Sequence, residues 1–500
     1  QSGKKFKIET IPKKFPKNVL KTNKKIIIGF DPKLHTEHQL NYLFKIKNVE
    51  LKSLEKNLVD IVWSKKQNAI TQSYYSMPKN IVGDKAEKKI LKVRKLLNKN
   101  KIDLLLVTAP ENVAWILNIR GYDSSYSPIP NTRLVISKSG EVFLFADLKK
   151  TRKLHKFLKN KVKILNEIDI NKFFLKLSNK KIWLDKLSCS LHFKMILRER
   201  NKVFEKIDPI YFLKSVKNNT EIKNMEKSHL IDGVALTKFL FWLKKNFKKK
   251  KITEISASQK LYNFRKKNKN FKFLSFPTIS GAGPNGAIIH YKPSQKTNRK
   301  LNIGDIYLVD SGGQYKFGTT DVTRTISLKN SNRRIKDIFT RVLKGHIAVA
   351  DFNLKRNTSG SLIDGQARKY LKQIGLDYAH GTGHGVGYFL NVHEGPHGIS
   401  KNNKVKFQEG MIVSNEPGYY EKNNFGIRIE NLIYVKKHKK KNIFENLTMA
   451  PIDKELINKE MLNNGEREWI NRYHKKVYNN LKGLMIKNEI LDLKDACSII

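Results

Sequence analysis

The amino-acid sequence predicts α/β and α+β architecture: two N-terminal α/β domains, the first truncated at its start, and then a longer α+β section. Three observations carry this expectation. An apolar strand run that leads to an Asp and then to a helical stretch occurs twice, at 25–44 and at 181–200. A helix, a strand and a hairpin follow one another between 84 and 145. From 276 onward the chain is strand- and turn-rich, with Gly281, Gly283, Gly286, Gly304, Gly312, Gly313 and Gly318 as punctuation.

Residues 25–29 (KIIIG) are β-branched and read as a short buried strand, ended by Asp31-Pro32. A helix is expected over 35–44 and a second strand over 49–54. The later copy is KIWLD at 181–185 followed by LHFKMILRER after Ser190. Between the copies, Asp84 and Glu87 have capping-box spacing. Ile90, Leu91, Val93, Leu96 and Leu97 then give an apolar helical face. IDLLLV at 102–107 is a strand, and LVISKSGEVFLF is a hairpin turning near Ser139-Gly140. From Glu221 an amphipathic helix runs through Met225, Leu230, Val234 and Leu236 to Trp242. These shifts divide the chain into domains at 1–75, 76–214 and 215–500.

Composition narrows the function classes. The apolar fraction of 39% suits ordinary cores, and no apolar run is long enough for a transmembrane helix. QSGKKFKIETIPKKF lacks the apolar centre of a signal peptide and has no initiator Met, which reads as a fragment or a processed chain. Cys189 and Cys497 alone cannot build a disulfide framework and read as reduced thiols of a cytoplasmic protein. The net charge of +55 raises nucleic-acid binding. Its excess is mostly Lys and is spread along the chain, without the Arg–aromatic stripe of a phosphate-reading surface. Lys248 to Lys251 and KKHKKK after Val435 read as solvated turns. No specific nucleic acid or membrane partner is expected.

Asp310, Asp321, His384, Glu416 and Glu430 stand in the segments LVDSGGQY, GTTDVTRT, HGTGHGVG, SNEPGYY and GIRIEN. Four carboxylates and an imidazole suit a pair of hard or borderline divalent ions, Mn²⁺ above all, better than a lone structural zinc. Two strand residues separated by a turn face each other across an antiparallel pair, which would bring Asp310 and Asp321 to one cavity. Glycines flanking His384 would let the backbone approach a metal. His380, His393 and His397 crowd the same stretch in a chain with 13 His. Alternation in FGIRIEN sets Ile427 and Ile429 against Arg428 and Glu430, so Arg428 is placed to orient Glu430 or another carboxylate. Glu394 and Glu421 are read as non-ligands.

Taken together, these segments, with SGAGPNGAIIHY and HGTGHGVGYFLNVHEGP, resemble the pita-bread metallopeptidases. The likeness is closest to the Xaa-Pro aminopeptidase (aminopeptidase P) branch in its long three-domain form. AWILNIRG at 114–121 and the tail from NLTMAPIDKELI to EREWINRYHKKV fit the same branch. The resemblance implies two creatinase-like N-terminal domains and a C-terminal pita-bread domain. It also implies that Asp321 and Glu430 bridge two ions, Asp310 completes one, and His384 and Glu416 complete the other. A hydroxide bridging the ions would attack the scissile carbonyl, since a metal lowers a water's pKa from about 15.7 to about 7. Glu416 would take the proton, and His290 and His393 would stabilise the tetrahedral intermediate. His380 would line the proline pocket. Mn²⁺ is the expected metal, with Co²⁺, Zn²⁺ or Fe²⁺ also accepted, and a homodimer is the expected assembly. The N-terminal domains would wall off the cleft and restrict cleavage to the first residue.

An Xaa-Pro amide has no N–H and a restricted chain, so it needs its own pocket. A prolidase cutting only dipeptides is the near alternative, disfavoured by the three-part plan and the tail. A metal-free pita-bread relative binding nucleic acid or protein would show substituted ligands, and none of the five is substituted. Methionine aminopeptidases have no need of two such N-terminal domains, and creatinase-like enzymes do without the metal carboxylates.

Overall fold

The computed structural model describes residues 7–9, 14–20, 23–63, 71–158, 161–439 and 441–500. The opening residues 1–6 and Lys440 of the second basic run lie outside the described residues. The chain forms two compact units: Gln1–Met77, Lys85–Asp123 and Ile129–Ile210 in the first, and Pro78–Asp84, Ser124–Pro128 and Tyr211–Ile500 in the second. Among the described residues no helix is long and apolar enough to cross a membrane.

In the first unit, β1 (Ile26–Phe30) and β2 (Val49–Ser53) pair in parallel around α1 (Glu37–Phe44). Thr36 caps α1: its hydroxyl accepts from Gln39 N at 3.1 Å while the Gln39 side chain accepts from Thr36 N at 3.2 Å. The buried strand expected from KIIIG is only half-buried, because alternate residues face solvent and Ile27 is 58% exposed.

Helix α2 (Ala86–Lys99) corrects two expectations. Its N-cap is Lys85, so Glu87 sits at the second helical position and the expected capping box does not form. Leu91 points outward, and the buried face is Ala86, Lys89, Ile90, Val93 and Leu97. Lys89 is tolerated there because its ammonium donates to Trp115 O at 3.0 Å and Asn118 Oδ1 at 2.7 Å and lies over the Trp115 ring.

The main sheet of this unit contains β3 (Leu104–Val107), β4 (Arg133–Ser137), β5 (Val142–Ala146), β6 (Lys163–Asn166) and β7 (Lys181–Asp185). After α3 (Leu191–Arg198) it adds β8 (Lys202–Lys206), giving the order β8-β7-β3-β4-β5-β6. The β4–β5 hairpin turns at Gly140, whose φ of +126° suits glycine. The β7-α3-β8 unit is parallel like β1-α1-β2, so the repeated strand–helix pattern reflects one repeated arrangement. Cys189 packs in the core beside Leu184 and Leu197, and both cysteines are free.

The second unit opens with α4 (Asn219–Asn246), where Asn218 and Glu221 form a full capping box. It continues through α5 (Glu254–Lys266) to an antiparallel sheet of β9 (Ile279–Ala282), β10 (Ile306–Ser311) and, beyond β11 (Gly313–Tyr315) and β12 (Gly318–Thr319), β13 (Val322–Ser327). Helices α6 (Arg333–Ala350) and α7 (Gly360–Lys372) precede a five-stranded antiparallel sheet. That sheet uses β14 (Gly383–Gly385), β15 (Glu394–Ile399), β16 (Ile412–Asn415) and, after the β17 (Gly418–Glu421) and β18 (Phe425–Arg428) hairpin, β19 (Asn431–His438) and β20 (Lys441–Asn446). The last long helix is α8 (Asn464–Leu481). Lys436 to His438, read above as part of a turn, instead end β19 as exposed strand residues, and the turn falls at Lys439.

The hairpin, α6 and α8 share a core of Phe339, Val342, Ile427, Ile429, Trp469 and Val477. Truncating a residue such as Phe339 to Ala there costs about 3–5 kcal/mol. That core fixes the strand ends that carry the candidate site.

Candidate active site

Asp310 lies on β10 directly opposite Thr323 of β13. Asp321 comes just before β13, two residues from Thr323, so it is the diagonal neighbour of Asp310 and not its direct partner. Diagonal neighbours share a sheet face, which still brings both carboxylates to one side. Thr323, on that face, donates to Glu430 Oε2 at 2.7 Å. His384 sits at the centre of β14; its Nδ1–H donates to Gly385 O at 2.9 Å, which leaves the Nε2 lone pair free. That Nε2 is 3.4 Å from Asp321 Oδ2 and 3.4 Å from Glu416 Oε1. One ligand atom from each of Asp321, His384 and Glu430 lies within 4.8 Å of the others. Ser414 accepts from His384 N and donates to Glu416 Oε1, both at 2.9 Å. Arg428 donates to Asp310 Oδ2 at 2.7 Å, so the carboxylate it orients is Asp310.

The electrostatics suit cations. Asp310, Asp321 and Glu430 are 8%, 4% and 1% exposed, and Oδ1 of both aspartates is buried without a hydrogen-bond partner. Burial, then the charges of Asp310 and Glu416, hold Asp321 well above the usual carboxylate pKa. Glu430 is raised in the same way by burial and then by Asp321, Glu416 and Asp310. Burial also raises Glu416, against the opposing pull of His384 and Arg428. Buried carboxylates that repel one another and carry unused oxygens form a donor set for divalent ions.

The histidines divide by role. The His393 ring centroid is 4.0 Å from that of His384, and burial followed by the charges of His384 and His290 pushes its pKa down to about 4. His290 sits on an exposed turn, close enough to act electrostatically on both His380 and His393. His380 donates from Nδ1 to Gly381 O at 2.8 Å, and its Nε2 accepts from Tyr420 OH at 2.9 Å. Tyr420 accepts in turn from Arg428 at 2.6 Å. His397 is turned away and donates to Ile412 O at 2.6 Å. Glu394 pairs with buried Lys217 and Lys214, and Glu421 pairs with Arg334, so neither joins the cluster.

Behind the His380–His384 stretch stands α7. Arg368 binds Asp364 at 2.8 Å and donates to the carbonyls of Tyr378 and His380, each at 2.7 Å. Thr382 donates to Asp364 Oδ1 at 2.7 Å. The glycines beside His384 are required by strand packing. A Cβ on Gly383 would meet Ser414 O at 1.9 Å, and one on Gly385 would meet Glu394 O at 2.1 Å. They let neighbouring strands close on β14.

Three supporting side chains escaped the sequence reading. Thr323 and Ser414 each stand two residues from a candidate ligand, the period-2 signal of a shared strand face. Tyr420 carried no signal, since its role arises only when the β17–β18 hairpin brings it over Arg428.

Three family descriptions match the chain. They are metallopeptidase family M24 over residues 223–437, the creatinase/prolidase N-terminal domain over 65–221, and the C-terminal region of peptidase M24 over 442–500. The molecule is therefore a creatinase-type N-terminal domain joined to a pita-bread M24 catalytic domain, a metallopeptidase by class. Xaa-Pro aminopeptidase 1 of Dictyostelium discoideum is 38% identical over 487 residues, spanning 91% of this chain and 76% of that protein. A probable Xaa-Pro aminopeptidase P of Laccaria bicolor is 39% identical over 461 residues, spanning 88% and 71%. The X-prolyl aminopeptidase structure from Caenorhabditis elegans, described as a cytosolic enzyme with a di-nuclear active site, superposes with a TM-score of 0.90 at 32% identity. It covers 96% of this chain and 82% of its own. The chain belongs to the Xaa-Pro aminopeptidases of family M24.

Proposed function

We propose that this enzyme releases the N-terminal residue from peptides with proline at the second position. Asp310, Asp321, His384, Glu416 and Glu430 hold two divalent ions, Mn²⁺ first among them. The observation that carries this reading is the convergence of Asp321, His384 and Glu430 donor atoms within 4.8 Å, beside aspartate oxygens left without hydrogen bonds. When bound, such ions lower the pKa of a shared water and polarise the scissile carbonyl.

The remaining work falls to the chain's own groups. Asp321 and Glu430 would serve both ions, Asp310 would serve one and His384 with Glu416 the other. Glu416, with Oε1 already oriented by Ser414, would accept a proton from the attacking water. A neutral His393 keeps a ring N–H to donate to the developing oxyanion, and its depressed pKa keeps it neutral at working pH. His290, near enough to act electrostatically on His380 and His393, would be the second group to stabilise the intermediate. His380 has both ring nitrogens engaged, by Gly381 O and Tyr420, so it forms a wall for the pyrrolidine and does not shuttle protons. Arg428 fixes Asp310 and Tyr420 together.

The domain limits 1–75, 76–214 and 215–500, a homodimeric assembly and a cytoplasmic setting complete this reading. The similarity to a protein described as cytosolic supports the last of these. The test is elemental analysis of the purified protein, coupled to hydrolysis of Arg-Pro-Pro and of an Xaa-Pro dipeptide before and after chelation. Tripeptide cleavage that is lost with the ions and regained on their return is expected. Cleavage of the dipeptide alone would make it a prolidase, and a protein without ions or peptidase activity would end the proposal.

A further inference from the structure

Arg324 follows Thr323 on β13 and is 1% exposed. Strand alternation turns its side chain away from the carboxylate face. Toward the site it donates to the carbonyls of Glu430 at 2.7 Å and Thr323 at 2.9 Å, and to Asn431 Oδ1 at 2.9 Å. Away from the site it donates to the carbonyls of Ala450 at 2.8 Å and Pro451 at 3.0 Å, and to Tyr473 OH at 2.8 Å. Tyr473, on α8, passes its own proton to Ala450 O at 2.8 Å and stacks on Trp469 with an interplanar angle of 9°. A mid-helix glycine of α4, Gly233, lets Met449 O approach so closely that a Cβ would meet it at 2.1 Å, and this fixes the far side of the fork.

A guanidinium offers five donors in a rigid plane, which suits bridging two backbone segments at once; an ammonium on a flexible stem does not. None of these six bonds goes to a carboxylate, so the group is placed for geometry and not for ion pairing.

We propose that Arg324 and Tyr473 are positioning residues for the metal centre. They clamp the Glu430 backbone to the segment 448–473, so that this C-terminal region sets the affinity for the ions. The inference rests on the two-ion reading above. A plain core staple would make the same contacts, and the two roles differ in what they predict. A staple stabilises the fold with or without ions. A clamp on Glu430 changes ion affinity beyond any loss of stability.

The experiment compares Tyr473→Phe, Arg324→Lys and Val477→Ala with the wild type. Val477 lies in the same helix and core but is not one of these hydrogen-bonding residues. Ion stoichiometry and Mn²⁺ affinity against a competing chelator are measured on each protein, together with melting of the chelated form. Tyr473→Phe is expected to weaken Mn²⁺ binding about 10- to 100-fold, the range for residues that orient metal ligands. Arg324→Lys is expected to weaken it at least as much. Val477→Ala is expected to lower the melting temperature with unchanged affinity. Should Arg324→Lys fail to fold, Tyr473→Phe decides the matter. Wild-type affinity in Tyr473→Phe overturns the clamp and leaves the two-ion reading standing. A wild type that takes up no ions overturns both.

Discussion

Replacing Asp321 with Asn removes one negative charge from a buried cluster without changing its shape. The donor atoms of Asp321 and Glu430 lie within 4.8 Å of each other. Two unit charges at that distance repel by about 3–4 kcal/mol at an effective dielectric constant near 20. Proton uptake relieves part of this, so about 1–2 kcal/mol of relief is expected in the ion-free protein at pH 8. At about 2–4 °C per kcal/mol, chelated Asp321→Asn melts about 2–8 °C above chelated wild type. The sign follows from linkage. The folded-state pKa of Asp321 is raised, so its contribution to stability is full below the unfolded value and lost as pH rises through the folded one. The difference between the two proteins therefore vanishes near pH 4.

Ions reverse the order of the two proteins. On the two-ion reading, at free metal about 1,000-fold above Kd the wild type gains about 4 kcal/mol, and the variant, lacking the Asp321 carboxylate, does not. Calorimetry with and without chelator, beside elemental analysis and peptide turnover, reads all three quantities. A chelated variant that melts below chelated wild type at pH 8, or one that loads both ions and turns over normally, would refute the reasoning.

Other outcomes can be checked alongside. Glu430→Gln is expected to lose activity and ions together, read by elemental analysis and turnover. His393→Ala lowers kcat about 10²- to 10³-fold with ion content near normal, because it removes a donor to the transition state and not a ligand; loss of both ions in that variant would make His393 a ligand. Arg428→Lys keeps the charge but loses the fork joining Asp310 to Tyr420, so kcat/KM drops about 10- to 100-fold in steady-state assays. Acid sensitivity has its own source in buried His229, His397 and His474, pushed down to about 4, 4 and 3, in each case chiefly by burial. Their folded values lie below the ordinary one, so the stability they give is present above about pH 6.5 and is lost toward the folded values, at up to about 1.4 kcal/mol per pH unit each. In His474→Gln the amide oxygen can still accept from Ile452 N, and the slope of unfolding free energy between pH 6 and 4 should lessen; an unchanged slope would contradict this.

The candidate ligands were legible because several are embedded in local signals that need no tertiary knowledge: an apolar strand before Asp310, glycines around His384, Pro417-Gly418 after Glu416. Their relative placement was less so. Direct opposition of Asp310 and Asp321 assumed a simple hairpin, whereas β11 and β12 intervene and leave the pair diagonal. The Asp84–Glu87 spacing suggested a cap, but the helix starts at Ala86 with Lys85 as its N-cap, which puts Glu87 at the second helical position. Lys89 looks like a surface residue in any periodic pattern; only the fold supplies the Trp115 and Asn118 oxygens that make its burial tolerable. Arg324 is hidden for the same reason, since its acceptors come from segments more than a hundred residues downstream.

Asp364 and Arg368 are one helical turn apart on α7, and together they secure the stretch from Tyr378 to Thr382 from behind. The loop bearing His380 thus takes its course from contacts to a helix. On the two-ion reading proposed above, ion uptake would then need little ordering of the chain at that wall, and Arg368→Ala would loosen the stretch that leads to His384.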